Sequence, residues 1–343
     1  MFRFQDCHWM PVSDISGITG PATELFSVTM DSQTDGWAVG AYDKDNPYVQ
    51  ANGTTAHEWI GIKLLVLHYF DGQWRPVDVP AGGNALSAQV AMISADEGWM
   101  LVDGGKSHTD PYTPSYAYHL FHYLDGAWNP VPLTFDTSGT LEFSDVTAAA
   151  PGECWVVGVD GTGRDHFAVA HYANGKWQTW SSEQVGAGAY GTLDHIALTG
   201  PDDAWVVGHS FYPFAQSQNF GPFISRFTGT GWVKQDLPAA LDQHGVDASS
   251  MTITMVSPAE GWAFFPLDYP RSSPPQAKAL HYIDGHWQWV MLPYPIAVAY
   301  SLSPSSPTQG FAVVTLADSG AGASFEGDLA YYDDGAWSVV PNR

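Results

Sequence analysis

Short runs of apolar residues alternate with turn-forming residues along the whole chain. Each run is about four to six residues long and is bounded by Gly, Pro, Asp or Ser, as in ITMVSPAEGWAFF from Ile253. Such runs predict β-strands, because amphipathic helices need longer segments with apolar positions three and four residues apart. No window of the sequence combines that helical spacing with capping residues. We therefore expect an all-β protein without helices.

A short phrase recurs seven times along the 343 residues. An aromatic residue is followed by a tight turn and then by a tryptophan, as in YIDGHW from Tyr282. The intervals between these tryptophans run from 49 to 65 residues, which indicates one supersecondary unit repeated along the chain. The seven tryptophans are Trp9, Trp74, Trp128, Trp177, Trp232, Trp287 and Trp337.

A second phrase precedes the first in every repeat except the N-terminal one. DAWVVG from Asp203 is typical of it, and the six copies begin at Asp35, Glu97, Glu153, Asp203, Glu260 and Gln309. Together the two phrases predict four strands per unit, a to d, with the second phrase on strand b and the turn motif between strands c and d. Asp-Gly and Asn-Gly suit that turn because a two-residue hairpin needs positive φ. Four-stranded antiparallel units repeated in this way are the blades of a β-propeller.

Complete units number six, and we expect one β-propeller domain over residues 1–343. The predicted blades cover residues 25–80, 87–133, 141–181, 193–237, 250–293 and 297–341. Residues 1–24 contain only a c–d type hairpin and a linker. This hairpin is predicted to pack as an added edge or cap, and a seventh, degenerate blade is the alternative.

Composition restricts the partners. The net charge is −24, from 36 acids against 12 Lys and Arg, so a nucleic acid is not expected as partner. No apolar run is long enough to span a membrane. The N-terminus lacks the pattern of a signal peptide, and the sequence leaves open whether a targeting segment was removed. Two free thiols are expected, since Cys7 and Cys154 have no metal-type spacing.

The two phrases, written W-x-V-G and H-[YW]-x-G-x-W, resemble repeats of secreted or envelope proteins of Actinobacteria and Chloroflexi-type bacteria. Those proteins are largely uncharacterised β-propellers, and the resemblance covers nearly the whole chain. It implies a bacterial protein located outside the cell or at its envelope, and it brings no catalytic residues. The chain departs from the pattern at Arg226, where the motif has histidine, at Phe311 and Tyr331, and at Arg3 and Cys7 in the N-terminal fragment.

The recurring histidines and tryptophans are interpreted as structural. Equivalent residues stand on different blades, so the histidines cannot meet at one metal ion, and each should form hydrogen bonds within its own blade. The tryptophans of the second phrase should fill the space between blades. The histidines are His68, His122, His171 and His281, and the tryptophans are Trp37, Trp99, Trp155, Trp205 and Trp262.

The connections between strands b and c and between strands d and a vary in length and composition. Binding residues concentrate on such loops, whereas the opposite end carries short, similar turns. Residues 41–62 form the longest predicted connection. Aromatic and hydrogen-bonding side chains there suit a glycan or a protein partner. The candidate ligand-binding residues are Tyr48, Trp59, His108, Tyr112, Tyr116, Asp165, His166, Tyr212, Phe214 and Tyr269.

Catalytic and metal motifs are weak. Asp43 with Asp45, and residues 160–165, only partly match a calcium loop. No nucleophile elbow, phosphate loop or zinc signature is present, so neither a cofactor nor a metal is expected, and no catalytic residue is assigned.

Three functions are carried forward. The first is a non-enzymatic, acidic propeller that binds a protein or glycan. The second is a glycan-active hydrolase or lyase using loop carboxylates with His166 or His108. The third is a structural subunit that forms homo-oligomers through the N-terminal hairpin, since unpaired strands invite pairing.

Overall fold

The protein is described by a computed structural model. It describes residues 2–5, 8–11, 23–49, 55–80, 83–107, 115–134, 141–160, 167–188, 191–210, 221–238, 251–265, 278–306, 309–316 and 328–340. Residues 43–49 and 55–62 are described by their backbone pairing alone.

Six four-stranded antiparallel sheets make up the fold, together with one two-stranded hairpin. Each four-stranded sheet runs through its strands in sequence order, from strand a to strand d. The chain is therefore an all-β protein with six blades, a six-bladed β-propeller, as the repeats predict.

The strands of the hairpin and the first three blades have the following bounds. The hairpin consists of β1 (Phe2–Gln5) and β2 (His8–Pro11). Blade 1 consists of β3 (Thr23–Met30), β4 (Gly36–Val49), β5 (Thr55–Phe70) and β6 (Gln73–Pro76). Blade 2 consists of β7 (Ser87–Ser94), β8 (Glu97–Ser107), β9 (Ser115–Leu124) and β10 (Ala127–Val131). Blade 3 consists of β11 (Leu141–Thr147), β12 (Cys154–Asp160), β13 (Phe167–Ala173) and β14 (Lys176–Ser181).

The remaining three blades follow the same order. Blade 4 consists of β15 (Gly191–Gly200), β16 (Asp203–Ser210), β17 (Gly221–Phe227) and β18 (Trp232–Lys234). Blade 5 consists of β19 (Thr252–Ser257), β20 (Glu260–Phe264), β21 (Lys278–Ile283) and β22 (His286–Met291). Blade 6 consists of β23 (Ile296–Ser306), β24 (Gln309–Leu316), β25 (Asp328–Asp333) and β26 (Ala336–Val339).

The prediction that the chain has no helix is wrong at one point. Helix α1 (Ser182–Val185) follows the last strand of blade 3. The Ser181 side chain caps it and Gln184 reaches back to the Ser181 N–H, which completes a capping box. Four residues are too short to show a helical apolar period, so only the Ser-x-x-Gln spacing could have indicated this turn.

The chain divides into two compact units. One comprises Met1–Asp136 with Val146–Cys154, and the other comprises Thr137–Asp145 with Trp155–Arg343. The first contains the N-terminal hairpin and blades 1 and 2, and the second contains blades 4 to 6. No helix among the described residues is long and apolar enough to cross a membrane.

Tight turns between strands c and d have the predicted left-handed backbone. In blade 1, Asp71 and Gly72 have φ of 52° and 76°, and the same pair of positive values recurs in blades 2, 3, 5 and 6. These values suit the two-residue hairpin that the Asp-Gly and Asn-Gly sequences predict. Blade 4 differs, because its turn closes through a hydrogen bond from Thr228 N–H to the Gly231 carbonyl.

In each of the first five blades, the part of strand b around the repeat tryptophan is buried on both faces. Its sequence is a nearly continuous apolar run because both faces of the sheet are covered. The tryptophan of this strand is at most 2% exposed in Trp37, Trp99, Trp155, Trp205 and Trp262. Cys154, immediately before Trp155, is completely buried and forms no disulfide.

Where a contact to the next blade is described, the tryptophan packs against the aromatic residues of that next blade's c–d turn motif. Trp37 of blade 1 lies 4.6 Å from Tyr123 and 5.3 Å from Trp128 of blade 2, measured between ring centroids. In the second unit, Trp205 contacts Tyr282 and Trp287 of blade 5 in the same way. The predicted placement between blades is thus confirmed for Trp37, Trp155, Trp205 and Trp262. The edge-to-face arrangement also suits the quadrupoles of the rings.

Innermost strands of neighbouring blades are joined by side chains that bond to backbone. The Val90 N–H of blade 2 donates to the Ser27 hydroxyl of blade 1. The Thr254 hydroxyl of blade 5 donates to the Leu302 carbonyl of blade 6. These bonds satisfy polar backbone groups that the sheets leave at their inner edges.

Candidate functional site

The tight-turn end of the blades carries a repeated cluster of an acid, a histidine and a tryptophan. In blade 1, the His68 ring stacks on Trp37 with centroids 4.1 Å apart and planes 7° apart. The Nε2 atom of His68 lies 3.1 Å from Oδ2 of Asp35, the first residue of the DGWAVG phrase. One histidine is thus held by a ring on one side and a carboxylate on its edge.

Blades 2 and 5 build the same cluster with glutamate as the acid. His122 Nε2 lies 2.9 Å from Glu97 Oε1, and His281 Nε2 lies 3.2 Å from Glu260 Oε1. Glu97 Oε1 also accepts a hydrogen bond from the Gly152 N–H in the same unit. The prediction that these histidines form hydrogen bonds within their own blades is confirmed for the three blades.

Burial sets the protonation of the blade 5 cluster. The His281 side chain is 11% exposed, and removal from water lowers the pKa of the ring, although the Glu260 carboxylate acts in the opposite direction. His281 therefore favours its neutral form, which suits a structural hydrogen bond. Among the described residues, no group of three His, Cys, Asp or Glu side chains has a geometry that could hold a metal ion.

Blade 4 places an arginine where the other blades have histidine. Arg226 donates two hydrogen bonds to Asp203, of 2.7 and 2.8 Å, and its guanidinium lies 4.6 Å from the Trp205 ring centroid. Burial alone would raise the pKa of Asp203, but hydrogen bonds from Arg226 and Thr199 lower it overall. The bond to Asp203 raises the pKa of Arg226. Arg226 thus keeps the contacts to the acid and the tryptophan that histidine makes in the other blades, and it adds a permanent positive charge.

The opposite end of the blades, where strands b and c are joined, varies from blade to blade. We call it the b–c end. In blade 1, β4 pairs with β5 from Gly36↔Tyr69 to Val49↔Thr55. Among the described residues, pairing of β4 with β3 reaches only Thr23↔Tyr42. The central pair of strands therefore continues as a two-stranded ribbon, residues 43–49 and 55–62, which we call the arm.

The prediction of a long connection over residues 41–62 is therefore wrong in its structure. Most of this segment is paired strand, and only residues 50–54 lie outside the described residues. Pro47 and the charged residues around it are uncommon in central strands, and this composition concealed the ribbon. Blade 2 shows a shorter extension, in which Lys106 pairs with Tyr116 and Ser107 with Ser115.

A polar cluster at the b–c end of blade 4 was not predicted from the sequence. Thr192 and His209 are paired across β15 and β16, and the Thr192 hydroxyl lies 2.8 Å from His209 Nε2. Asp194 Oδ2 lies 3.3 Å from His209 Nδ1 and accepts the N–H of Met251 in blade 5. The cluster depends on strand register, which the sequence does not encode locally. Its Asp194 carboxylate connects two blades, so the cluster has a structural function.

A second acid–histidine pair joins two innermost strands, with Asp145 on β11 of blade 3 and His195 on β15 of blade 4. Asp145 is 5% exposed, accepts the N–H of Ile196, and has Oδ2 3.4 Å from His195 Nε2. It joins blade 3 to blade 4 in the second unit, as Asp194 joins blade 4 to blade 5. Acids at these positions therefore hold neighbouring innermost strands together.

The candidate ligand-binding residues fall mainly outside the described residues. Three have a described backbone: Tyr48 pairs with Ala56 and Trp59 with Asp45 in the arm, and Tyr116 pairs with Lys106 in blade 2. The structure thus places these three on hairpin extensions at the b–c end. The candidates outside the described residues are His108, Tyr112, Asp165, His166, Tyr212, Phe214 and Tyr269.

Comparison with known proteins supports the fold. No protein-family model matches the chain, and no curated protein matches its sequence. The chain is similar to YCF48 bound to D1 peptide, with 14% identity over 94% of this chain and 82% of that one and a TM-score of 0.52. It is also similar to virginiamycin B lyase from Staphylococcus aureus in a catalytically inactive form with quinupristin, with 14% identity over 93% and 94% of the two chains and a TM-score of 0.53.

An enzyme that acts on a polysaccharide shares the fold as well. The GH74 xyloglucanase from Xanthomonas campestris has 12% identity over 95% of this chain and 47% of its own, with a TM-score of 0.55. Binding proteins and enzymes thus stand side by side among these structures. Identities this low show a common propeller fold and nothing further about function.

Proposed function

We propose that the protein is a non-enzymatic propeller that binds a polypeptide segment of another protein at its b–c end. The observation that carries the proposal is the arm of blade 1, a two-stranded ribbon that extends beyond strands a and d of its own blade. Within the described residues no strand pairs with the outer edges of this ribbon, and backbone groups at such edges are complementary to another polypeptide chain rather than to a sugar.

The chemistry of the tight-turn end supports this assignment indirectly. The acids of the described clusters accept hydrogen bonds from the histidines and from Arg226. These histidines and Arg226 in turn lie over buried tryptophans, so the clusters serve the fold. Variation between blades is concentrated at the b–c end, where blades 1 and 2 extend their central hairpins. YCF48, a propeller similar to this chain, has a structure with a bound peptide, which is consistent with such a function.

The test compares two classes of ligand on two proteins. Displayed libraries of random peptides and an array of oligosaccharides are probed with the full chain and with an armless variant. In the armless variant, an Asn-Gly turn replaces residues 43–62, the whole arm, and joins Tyr42 directly to Lys63, its partner across β4 and β5.

Peptides should be enriched by the full chain, and this enrichment should disappear in the armless variant. Enrichment of oligosaccharides instead would replace the proposal with the glycan alternative. Peptide binding that survives removal of the arm would move the site elsewhere on the molecule. Thermal unfolding of the armless variant serves as the control that its blades are intact.

A further inference from the structure

No strand in the described part of the chain pairs with either outer edge of the arm, and the two edges differ in their backbones. Within the described residues, β3 and β6 pair with neither edge, because β6 pairs with β5 only over Leu67↔Pro76 to Phe70↔Gln73. Just below the arm, a bridge joins Lys63 to Asn84. The arm proper, from Thr55 to Ile62 on β5, has no described strand on its outer edge. Unpaired edges of this kind are sites where another strand can add.

The direction of each N–H on β5 follows from the hydrogen bonds near the base of the arm. Leu64 donates its N–H outward to the Gly83 carbonyl, and the Val66 carbonyl accepts from Val77 on the same side. The N–H and C=O of one strand residue point to the same side and alternate along the strand. Even-numbered residues of β5 therefore direct their backbone N–H and C=O groups outward, away from β4, at the base of the arm.

A β-bulge reverses this alternation inside the arm. Asp43 pairs with Ile62, but Asp45 pairs with Trp59, so β5 carries one more residue than β4 in this interval. Beyond the bulge, odd-numbered residues of β5 direct their backbone N–H and C=O groups outward. The outer edge of the arm on β5 thus presents the N–H and C=O groups of Thr55, His57 and Trp59.

The other edge is interrupted by a proline. Along β4, the alternation directs Asp45, Pro47 and Val49 away from β5. Proline has no N–H, so the middle position of this edge cannot donate to an added strand. Its tolerance in the ribbon also agrees with the assigned alternation, since an inward proline would remove a bond to β5. The β4 edge is closed to strand addition, and the β5 edge is open.

We infer that the β5 edge from Thr55 to Trp59 binds a cationic, extended peptide of a partner protein by β-strand addition. The arm sequence carries the acids Asp43, Asp45 and Glu58 against the single base Lys44, within a chain of net charge −24. Such a field favours a basic partner and repels a second copy of the chain. The inference rests on the proposed polypeptide-binding function and adds the mode of recognition and the charge of the partner.

The experiment measures peptide binding by fluorescence anisotropy. The probe is a labelled octapeptide that alternates lysine with threonine and valine, and the matched control peptide has glutamate in place of lysine. Three proteins are compared: the natural chain, His57→Pro and His57→Ala. Proline removes the outward N–H at the centre of the edge, whereas alanine changes the side chain and retains the N–H.

The lysine peptide should bind the natural chain at least about tenfold more tightly than the glutamate peptide. His57→Pro should weaken binding by about tenfold or more, and His57→Ala by less than about threefold. Equal loss in both variants would mean that the side chain, not the backbone, is recognised. Equal affinity for both peptides would overturn the charge of the partner.

The natural chain provides a second measurement that does not depend on a proline variant folding. Amide exchange followed by NMR should slow at Thr55, His57 and Trp59 when the lysine peptide is added, and unchanged rates would overturn the inference. Binding that is lost in the armless variant but kept in His57→Pro would refute strand addition while the proposed function stands. Dimerisation through the β5 edge, detected by sedimentation of the natural chain but not of His57→Pro, would replace the peptide by a second copy.

Discussion

Blades 4 and 5 build the same structural cluster from different residues. In blade 5, a mostly neutral histidine lies between Trp262 and Glu260, and in blade 4 an arginine lies between Trp205 and Asp203. Both side chains are planar, donate N–H groups from their edge and cover the face of a buried indole. Blade 1 pairs its histidine with an aspartate, Asp35, at 3.1 Å, so aspartate can accompany either histidine or arginine at this position.

The difference shows what the position requires. A planar donor that stacks on tryptophan and reaches an acid is sufficient, and its charge is secondary. Histidine at this position would suggest catalysis or metal binding if one blade were considered alone. The substitution in blade 4 supports a structural role, because arginine cannot serve as a general base at neutral pH.

The largest expected effect on stability comes from removing the tryptophan ring on which each cluster stacks. Trp205→Ala and Trp262→Ala should each lower the free energy of unfolding by about 3–5 kcal/mol, because both side chains are buried between blades. Trp205→Phe should cost less, since the Trp205 indole N–H has no hydrogen-bond partner among the described atoms. Urea unfolding measures these changes. A loss below about 1 kcal/mol for either alanine variant would contradict its burial.

An intermediate effect separates the arginine from the histidine. Arg226→Ala should destabilise the protein by about 1–3 kcal/mol, since it leaves the Asp203 carboxylate without two hydrogen bonds. Arg226→His should recover part of this loss, because the imidazole can repeat the blade 5 arrangement.

Arg75 provides the control for these variants. It is an exposed arginine over the Phe70 ring, and Arg75→Ala should change the free energy of unfolding by less than about 0.5 kcal/mol. If Arg226→His were as unstable as Arg226→Ala in urea unfolding, the two clusters would not be interchangeable.

The smallest expected effect is a pH dependence that only the histidine cluster should show. Burial lowers the folded-state pKa of His281 below its ordinary value of 6.5, so the unfolded chain binds more protons than the folded chain around that pH. Its contribution therefore reduces stability as pH falls through this range. His281→Arg should decrease the loss of stability between about pH 7.5 and about pH 5.5, because arginine stays charged throughout. An unchanged loss in urea unfolding would assign the pH dependence to other groups.

Much of the fold could be predicted because it is repeated. Six copies of one phrase predicted six blades, and the structure has six four-stranded sheets. The Asp-Gly turns were predictable because few other sequences adopt positive φ at two successive positions. The N-terminal hairpin was predicted, and in the described part of the chain β1 and β2 form a separate two-stranded sheet and not part of a seventh four-stranded blade.

The candidate site was less predictable because it departs from the repeat. The arm depends on pairing between residues 43–49 and 55–62, and Pro47 within it suggested a loop. The Thr192–His209–Asp194 cluster depends on cross-strand register, which adds no motif to the sequence. The single domain, the glycan alternative and a location outside the cell or at its envelope stay predictions.

The reactivity of the buried Cys154 thiol can report how often the folded chain opens locally. The thiol is completely inaccessible, and burial raises its pKa well above the ordinary value, so the reactive thiolate is scarce while the strand is closed. An alkylating reagent can reach it only during excursions that expose β12. With Cys7 replaced by serine, the labelling rate would report the free energy of those excursions under native conditions. Local opening of strand β12 in the third blade can thus be measured without denaturant or an introduced probe.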